Sequence, residues 1–283
     1  MSVDFITLTQ LHPCFSVGTK PNKGRVHLPV SPGCNIFCRF CSRGSDSARQ
    51  RPGAAAEIIT PGEAVNVVER ALELSPEITV VGIAGPGDAL ATPHAIETFR
   101  LVGEKFPHLL KCMSTNGLLL PEKASELAQI GVDALTVTVN GISPEILSRL
   151  CSGILYRGKR YAGEYGAKLL VENQLEGIRL ASEKGVTVKV NTVLVPEING
   201  EHIASIARAA KEAGARLYNI IPLIPAREFE AFPVPNCAQI DSARRVAEEY
   251  IEVFRCCGHC RADAVGIPGE EDYGERIYSR KRL

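Results

Sequence analysis

From residue 24 onwards, short apolar runs alternate with longer segments in which apolar residues recur every three or four positions. The short runs are rich in β-branched residues, a pattern typical of strands buried on both faces. We predict strands over 25–30, 78–84, 109–115, 134–140, 186–195 and 216–224. The longer segments have the helical period, and we predict helices over 60–74, 94–105, 121–130, 167–184, 200–213 and 239–255, with another beginning at Ser143.

These six strand–helix repeats predict an α/β fold with an all-parallel sheet curved into a partial (βα)6 barrel. No linker, repeat or low-complexity tract divides the chain, so one domain over 1–283 is the economical interpretation. It would comprise an N-terminal extension over 1–24, the barrel over about 25–225, and a C-terminal helix and cysteine segment over about 237–283. A basic, tyrosine-containing segment at 156–166 interrupts the rhythm, and we interpret it as a loop or lid between short helices.

Composition and charge exclude several classes of protein. The 283 residues are 45% hydrophobic and 23% charged, as in ordinary globular proteins. Basic and acidic residues number 32 each, so no charge excess points to a nucleic acid or a membrane surface as partner. No charge-free apolar stretch reaches the roughly 18 residues of a spanning helix, and the N-terminus lacks the features of a signal peptide. We therefore expect a cytoplasmic protein.

Ten cysteines are unusual in such a chain, because clustered thiols in a reducing compartment are more often metal ligands or catalytic groups than disulfides. Cys34, Cys38 and Cys41 follow the first predicted strand, at the edge of the sheet where sites of this fold class lie. Structural zinc usually takes four ligands, so this loop leaves zinc one ligand short. A [4Fe–4S] cluster fits better, since three thiolates leave one of its four irons open.

The spacing of these cysteines, with Phe40 just before the last one, resembles the radical S-adenosylmethionine (SAM) superfamily. The resemblance implies that the three cysteines hold the catalytic cluster and that its open iron chelates the amino and carboxylate groups of SAM. An electron from the cluster would then release a 5′-deoxyadenosyl radical. By the same resemblance, the residues expected to contact SAM are Gly85, Pro86, Gly87, Asp88, Asn116 and Asn191.

Several segments narrow the resemblance to the NifB family of nitrogenase cofactor biosynthesis proteins. They are HPCF (12–15), GRVHLPVSPGCNIFC (24–38), VGIAGPGDALA (81–91), STNGLLLP (114–121), VKVNTVLVP (188–196) and CGHCRADAVG (257–266). The resemblance implies an enzyme that fuses two [4Fe–4S] clusters, adds a sulfur and inserts a carbide derived from a SAM methyl group. The product would be an [8Fe–9S–C] precursor of the nitrogenase cofactor.

Other cysteines are candidate ligands of auxiliary clusters. Cys257 and Cys260 form a C-x-x-C pair able to give two thiolates to one metal, and Cys14 is a possible third ligand. On the residues alone, a redox or zinc half-site that ties the termini together stays open. The resemblance implies that these three hold one substrate cluster, and that His27 and Cys112 are two of the three ligands of a second.

The third ligand expected for the second cluster is missing. The family carries a cysteine shortly after the radical SAM loop, at or near Ser47 of this chain, and Lys20 and Pro21 occupy its histidine-bearing stretch after HPCF. Serine binds iron poorly beside thiolates. Three possibilities stay open: His27 and Cys112 alone hold the second cluster, a carrier delivers it, or the chain is a paralogue with altered chemistry.

The resemblance also implies partner proteins. These are a reducing electron donor, such as a ferredoxin or flavodoxin, and carriers of iron–sulfur clusters or of the cofactor. Two other functions stay open: a NifB-like radical SAM enzyme with one auxiliary cluster and a different substrate, and a non-enzymatic iron–sulfur or zinc protein. The sequence assigns no role to Cys151, Cys237 or Cys256.

Overall fold

A computed structural model of the chain describes residues 3–16, 22–42 and 51–278. Its strands are β1 (Gly24–His27), β2 (Ile36–Cys38), β3 (Ile78–Ile83), β4 (Leu110–Thr115), β5 (Ala134–Thr138), β6 (Cys151–Tyr156), β7 (Lys159–Ala162), β8 (Thr187–Leu194), β9 (Leu217–Pro222) and β10 (Val265–Gly266). Its helices are α1 (Phe5–Leu11), α2 (Pro61–Leu74), α3 (His94–Lys105), α4 (Leu120–Gln129), α5 (Pro144–Leu150), α6 (Gly163–Glu183), α7 (Pro196–Asn199), α8 (Ile203–Glu212), α9 (Cys237–Glu248) and α10 (Gly274–Tyr278).

The main sheet has seven strands in the order β10-β1-β3-β4-β5-β8-β9. The six strands from β1 to β9 in this order pair in parallel. Each of them lies inside a predicted strand, except that β1 begins one residue before the predicted start. Helices separate successive parallel strands from β3 onwards, as expected for right-handed crossovers. The predicted partial (βα)6 barrel is thereby confirmed.

Local capping fixes where the second helix begins. The hydroxyl of Thr60 accepts a hydrogen bond from the backbone of Glu63 at 3.3 Å, and the Glu63 carboxylate accepts one from the Thr60 backbone at 2.8 Å. Pro61 occupies the first helical position, where its missing N–H costs nothing. This reciprocal pair caps α2 at Thr60, the first residue of the predicted segment 60–74.

Two parts of the prediction were wrong. The sheet is not entirely parallel, because β10 pairs antiparallel with β1 at one edge. The segment 156–166 is not a loop between short helices: β6 and β7 form an antiparallel hairpin, and α6 begins at Gly163. Arg157 and Gly158, with φ of 49° and 75°, provide the tight two-residue turn that such a hairpin needs. The hairpin joins β2 in a second, three-stranded sheet.

Side chains alternate between the two faces of the main sheet. Met113, Leu135 and Val190 point to the helices and belong to the large hydrophobic core. Ala134 packs on the opposite, concave face, and we call the space that this face encloses the barrel interior. Cys112 packs against the same cluster of residues on this concave face.

The N-terminal segment closes one end of the barrel interior. Leu8 of α1 and Phe15 are fully buried against residues from the first halves of the strands, namely Val80, Leu110, Ala134 and Leu217. We call these six residues the barrel floor. The Thr79 hydroxyl donates to the Leu11 carbonyl at 2.6 Å and ties α1 to β3. In the described part of the chain, no helix is long and apolar enough to cross a membrane.

Candidate active site

The cysteine loop, residues 31–41, follows β1 and contains β2, which pairs antiparallel with β6. All three predicted ligands in this loop are half-buried. The backbone of Cys41 donates to the carbonyl of Cys38 at 3.2 Å and closes a turn between them. The pKa of Cys38 lies well above its ordinary value because its thiol donates a hydrogen bond to Cys151, because it is buried, and because the thiols of Cys41 and Cys34 lie nearby.

The donor set of this loop fits an iron–sulfur cube. It offers three thiols and no histidine or carboxylate, a soft set unsuited to a hard cation. Over residues 3–16, 22–42 and 51–278, no three histidine, cysteine, aspartate or glutamate side chains converge tightly enough to hold a single metal ion. A cube does not need that convergence, because each thiolate binds a different iron at its own corner.

The turn 84–88, which follows β3, packs directly on the cysteine loop. The Gly85–Pro86 peptide bond is cis, and Gly85 has φ +129°, a backbone conformation that favours glycine. The backbone of Gly87 donates to the Ser31 carbonyl at 2.8 Å, and the backbone of Asp88 donates to the Gly33 carbonyl at 2.8 Å. A Cβ at position 87 would lie 1.9 Å from the Gly33 carbonyl oxygen, so only glycine fits this contact.

Asp88 and Asn116 connect this turn to the end of β4. The buried Asp88 carboxylate accepts hydrogen bonds from the backbones of Leu90 and Asn116 and from the Thr115 hydroxyl at 3.1 Å. Burial raises the pKa of Asp88, and these hydrogen bonds oppose the rise. The Asn116 amide donates to Asn35 Oδ1 at 2.7 Å and lies 3.7 Å from the Cys34 Sγ. The Asp88 backbone and the Asn116 side chain therefore hold the cysteine loop, and the Asp88 carboxylate fixes the Asn116 backbone.

Asn191 lies further along the sheet, on β8. Its Oδ1 accepts a hydrogen bond from the Asn219 amide on β9 at 3.1 Å. Asn219 is almost fully buried, and its own Oδ1 lacks a hydrogen-bond partner among the described residues. Among the described residues, this pair therefore leaves one buried oxygen, Asn219 Oδ1, able to accept a hydrogen bond in the barrel interior. Contacts of Asn191, Asn116 and the 84–88 turn with SAM stay predictions.

Thiols from both ends of the chain meet near the barrel floor. Burial raises the pKa of Cys14 to about 11, and nearby Cys260 and Cys257 raise it further while Lys189 and Arg25 lower it. The Arg25 guanidinium donates to the Cys260 Sγ at 3.2 Å. The structure thus brings the predicted ligands Cys14, Cys257 and Cys260 into one neighbourhood.

His27 and Cys112 lie on neighbouring parts of the barrel interior. Burial raises the pKa of Cys112 to about 12, and Cys14 is close enough to add to the rise. The His27 Nδ1 lies 2.7 Å from the Arg261 carbonyl, so Nδ1 carries the proton and Nε2 keeps a free lone pair. Gly82 lies under the ring, and a Cβ there would be 2.7 Å from the His27 Cδ2. Burial lowers the pKa of His27 to about 4, which keeps the imidazole neutral.

The remaining cysteines differ in burial and in whether they contact a predicted ligand. Cys151 was not predicted to have a role, yet it lies opposite Cys38 in the β2–β6 pairing, and the hydrogen bond from Cys38 lowers its pKa to about 7. Cys237 is exposed at the start of α9, and Cys256 is half-buried. Ser47 lies outside the described residues. Only the antiparallel register reveals Cys151, because nothing in its local sequence marks it.

Sequence comparison agrees with this geometry. A profile of the radical SAM superfamily matches residues 28–210, which include the cysteine loop and most of the barrel. The chain also resembles solved radical SAM structures in fold: Streptococcus suis SuiB (TM-score 0.59, 12% identity, 81% of this chain and 48% of that one) and methylornithine synthase PylB (TM-score 0.52, 16% identity, 82% and 65%). The chain is therefore a radical SAM enzyme, and membership of the superfamily implies a [4Fe–4S] cluster and SAM.

Relatives at higher identity define the family more closely. The chain is 45% identical to the FeMo cofactor biosynthesis protein NifB of Methanocaldococcus infernus, over 98% of this chain and 92% of that protein. It is 44% identical to the protein of the same name from Methanocaldococcus jannaschii, over 98% and 93%. The chain belongs to the NifB family.

Proposed function

We propose that this enzyme builds the iron–sulfur precursor of the nitrogenase cofactor by fusing two [4Fe–4S] substrate clusters, with insertion of a SAM-derived carbide and a sulfur. One observation carries the proposal: Cys14, near the N-terminus, lies close enough to Cys257 and Cys260 for their thiols to raise its pKa, and close enough to Cys112 to raise the pKa of Cys112. The names of its relatives support the same pathway.

Cys34, Cys38 and Cys41 would hold the resident cluster. When bound, that cluster supplies the electron and the open iron for reductive cleavage of SAM. Asn116 holds the Cys34 side of the loop through Asn35, and the 84–88 turn fixes the loop backbone through hydrogen bonds to Ser31 and Gly33. Gly85 to Asp88, Asn116 and Asn191 would contact SAM, and the surrounding protein would exclude water and oxygen.

Cys14, Cys257 and Cys260 would hold the first substrate cluster, which receives the methyl group of one SAM on a sulfide. A second SAM would give the radical that removes a hydrogen atom from that methyl group and leaves as 5′-deoxyadenosine. The protein contributes orientation, because the substrate ligands face the same interior above which the cysteine loop lies.

His27 and Cys112 would hold the second substrate cluster. A histidine that ligates a metal usually donates its other ring N–H to a carbonyl or carboxylate. His27 has this arrangement through the Arg261 carbonyl, and its free Nε2 is neutral at physiological pH. These features support ligation through Nε2.

The position of Ser47 supports a second candidate function. With a serine where the family has a cysteine, the second cluster lacks a thiolate. A chain that binds only the first auxiliary cluster would be a NifB-like radical SAM enzyme acting on another substrate. In either case we propose a ferredoxin or flavodoxin as electron donor and iron–sulfur carriers as further partners.

Iron analysis after anaerobic reconstitution separates these functions. The proposed function predicts about twelve irons per chain, and about eight in each of Cys34→Ala, Cys112→Ala and Cys257→Ala. Cys34→Ala should also lose reductant-dependent 5′-deoxyadenosine, whereas Cys257→Ala should retain uncoupled SAM cleavage. Cys237→Ala, at an exposed cysteine, is the matched control and should keep all of the iron.

A wild type with about eight irons and an unchanged Cys112→Ala would contradict cluster fusion and favour the second function. About four irons in the wild type would contradict both.

A further inference from the structure

Lys189 lies in the middle of β8 with its side chain in the barrel interior. Its neighbours Val188 and Val190 point the other way, into the large hydrophobic core beneath the helices. Lys189 is only 4% exposed. Removing an ammonium group from water is costly unless a compensating charge or several hydrogen bonds replace the solvent.

The protein alone compensates this charge poorly. The ammonium donates one hydrogen bond, to the Cys14 carbonyl at 2.7 Å, although it has three hydrogens to donate. The rings of Phe15 and Phe254 lie 4.4 and 4.7 Å from it and give cation–π contacts. In residues 3–16, 22–42 and 51–278, no carboxylate forms a salt bridge with Lys189.

Two of the predicted cluster ligands lie near the ammonium. Its positive charge lowers the pKa of Cys14 and of Cys112, against the larger rise that burial causes. Arg25 is 4% exposed and donates to the Cys260 Sγ at 3.2 Å, and its guanidinium also lies 3.9 Å from the Asp272 carboxylate. Two buried cations therefore lie close to the thiols that come from the two ends of the chain.

We propose that Lys189 and Arg25 form an anion-binding site in the barrel interior for the thiolate-ligated iron–sulfur cluster that the enzyme takes as substrate. A cube bound by three thiolates has a net negative charge, which the two cations would offset in a poorly solvated space. This inference rests on the proposed function, because it requires an auxiliary cluster at Cys14, Cys257 and Cys260.

Substitutions at Lys189 separate charge from hydrogen bonding. K189Q keeps a donor for the Cys14 carbonyl and removes the charge, whereas K189R keeps the charge. After anaerobic reconstitution, K189Q should hold about four irons fewer than the wild type, and K189R should hold the full number. Without clusters, K189Q should melt at or above the wild-type temperature, because it no longer buries an uncompensated cation.

Lys111 provides the matched control. It is a partly buried strand lysine whose ammonium also donates to a carbonyl, that of Ile130 at 2.7 Å, but it lies beside Gly103 of α3, in the helix layer. K111Q should keep all of the iron. Cys257→Ala serves as the reference for a site that has lost its cluster.

Three outcomes would overturn the inference. Full iron in K189Q would show that the charge is not needed. A K189Q protein that is less stable without clusters would show that the Lys189 ammonium stabilises the cluster-free fold. Unchanged iron in Cys257→Ala would remove the auxiliary cluster itself, and with it the proposed function, whereas loss of iron in Cys257→Ala with full iron in K189Q would contradict this inference alone.

Discussion

The carboxylate of Asp88 lies in the buried joint between the ends of β3 and β4. Its oxygens accept hydrogen bonds from two backbone N–H groups and the Thr115 hydroxyl, while its backbone donates to the cysteine loop at Gly33. Asp88, a predicted SAM contact, thus positions the loop that carries the three predicted cluster ligands.

We expect Asp88→Asn to reduce the free energy of unfolding by about 1–3 kcal/mol, because an amide NH₂ would face N–H donors and leave buried groups unsatisfied. Urea denaturation of the cluster-free protein measures this change. Asp4→Asn is the control, since Asp4 is an exposed helix N-cap whose carboxylate accepts from Thr7 at 3.0 Å, and asparagine caps equally well. Equal effects of the two substitutions would contradict the role given to the buried joint.

From the surroundings of His202 we predict that the stability of the protein depends on pH. Its Nε2 accepts hydrogen bonds from the backbones of Ile142 and Ser143 at 3.1 and 3.2 Å, so this nitrogen must be unprotonated. Burial lowers the pKa of His202 below 6.5. The unfolded chain therefore binds a proton more readily, and stability should fall as the pH drops below about 6.5 and level off below the folded pKa.

Urea midpoints of wild type and His202→Gln between pH 7.5 and 5, in the cluster-free state, test this prediction; roughly these limits bracket the histidine titration. Glutamine can still accept one of the two hydrogen bonds but does not titrate. The variant should thus show the weaker acid dependence. Parallel curves would assign the acid sensitivity to other groups.

Among elements, the contact between the 84–88 turn and the cysteine loop is made by backbone on both sides. Ser31 also forms a parallel bridge with Pro86. Because the two segments touch without intervening side chains, any side chain at Gly87 must separate them. The close approach of the cysteine loop to the end of β3 therefore depends on the absence of a side chain at Gly87.

Gly87→Ala should lose about four irons and reductant-dependent cleavage of SAM, because it displaces the loop that carries the cluster ligands. Gly62→Ala is the matched control: nothing lies within 4 Å of a Cβ there, inside α2. That substitution should keep all iron and stabilise the protein by about 0.5–1 kcal/mol. Iron content and urea denaturation measure both effects, and a Gly87→Ala protein with normal iron would contradict the contact argument.

The elements also show which parts of the fold a sequence can predict. The parallel strands were predictable because strands covered by helices are nearly continuous apolar runs. The β6–β7 hairpin was not, because strand β7 (Lys159–Ala162) is short, mostly exposed and basic, and its edge position leaves no apolar alternation. The two-residue strand β10 is too short to give any pattern. The cysteine loop followed from spacing alone, whereas Lys189 and Cys151 depend on partners distant in the sequence.

At the scale of the whole molecule, we expect the barrel floor to couple stability to cluster binding. Phe15 is fully buried there, one residue after Cys14 and 4.4 Å from the Lys189 ammonium. Phe15 packs in one cluster with the floor residues that the strands contribute, among them Leu110 and Leu217. Packing in the floor should therefore set how well Cys14 is held.

Phe15→Ala should reduce the free energy of unfolding by about 3–5 kcal/mol and should also cost about four irons after reconstitution. Phe99→Ala is the comparison, because Phe99 is equally buried but lies in α3, within the large core away from the floor. It should lose similar stability and keep its iron. Equal iron loss in the two variants would attribute the effect to general destabilisation.

The junction of the two chain ends has a consequence for biosynthesis. Cys14 leaves the ribosome early, whereas Cys257 and Cys260 appear only after every parallel strand has been made. A nascent chain contains the whole 31–41 loop long before Cys257 and Cys260, the partner thiols of Cys14, have been synthesised. Under the proposed function, loading of the two kinds of cluster would therefore be staged, and the cluster bound by thiols from both termini could be received only after Cys257 and Cys260 have been synthesised.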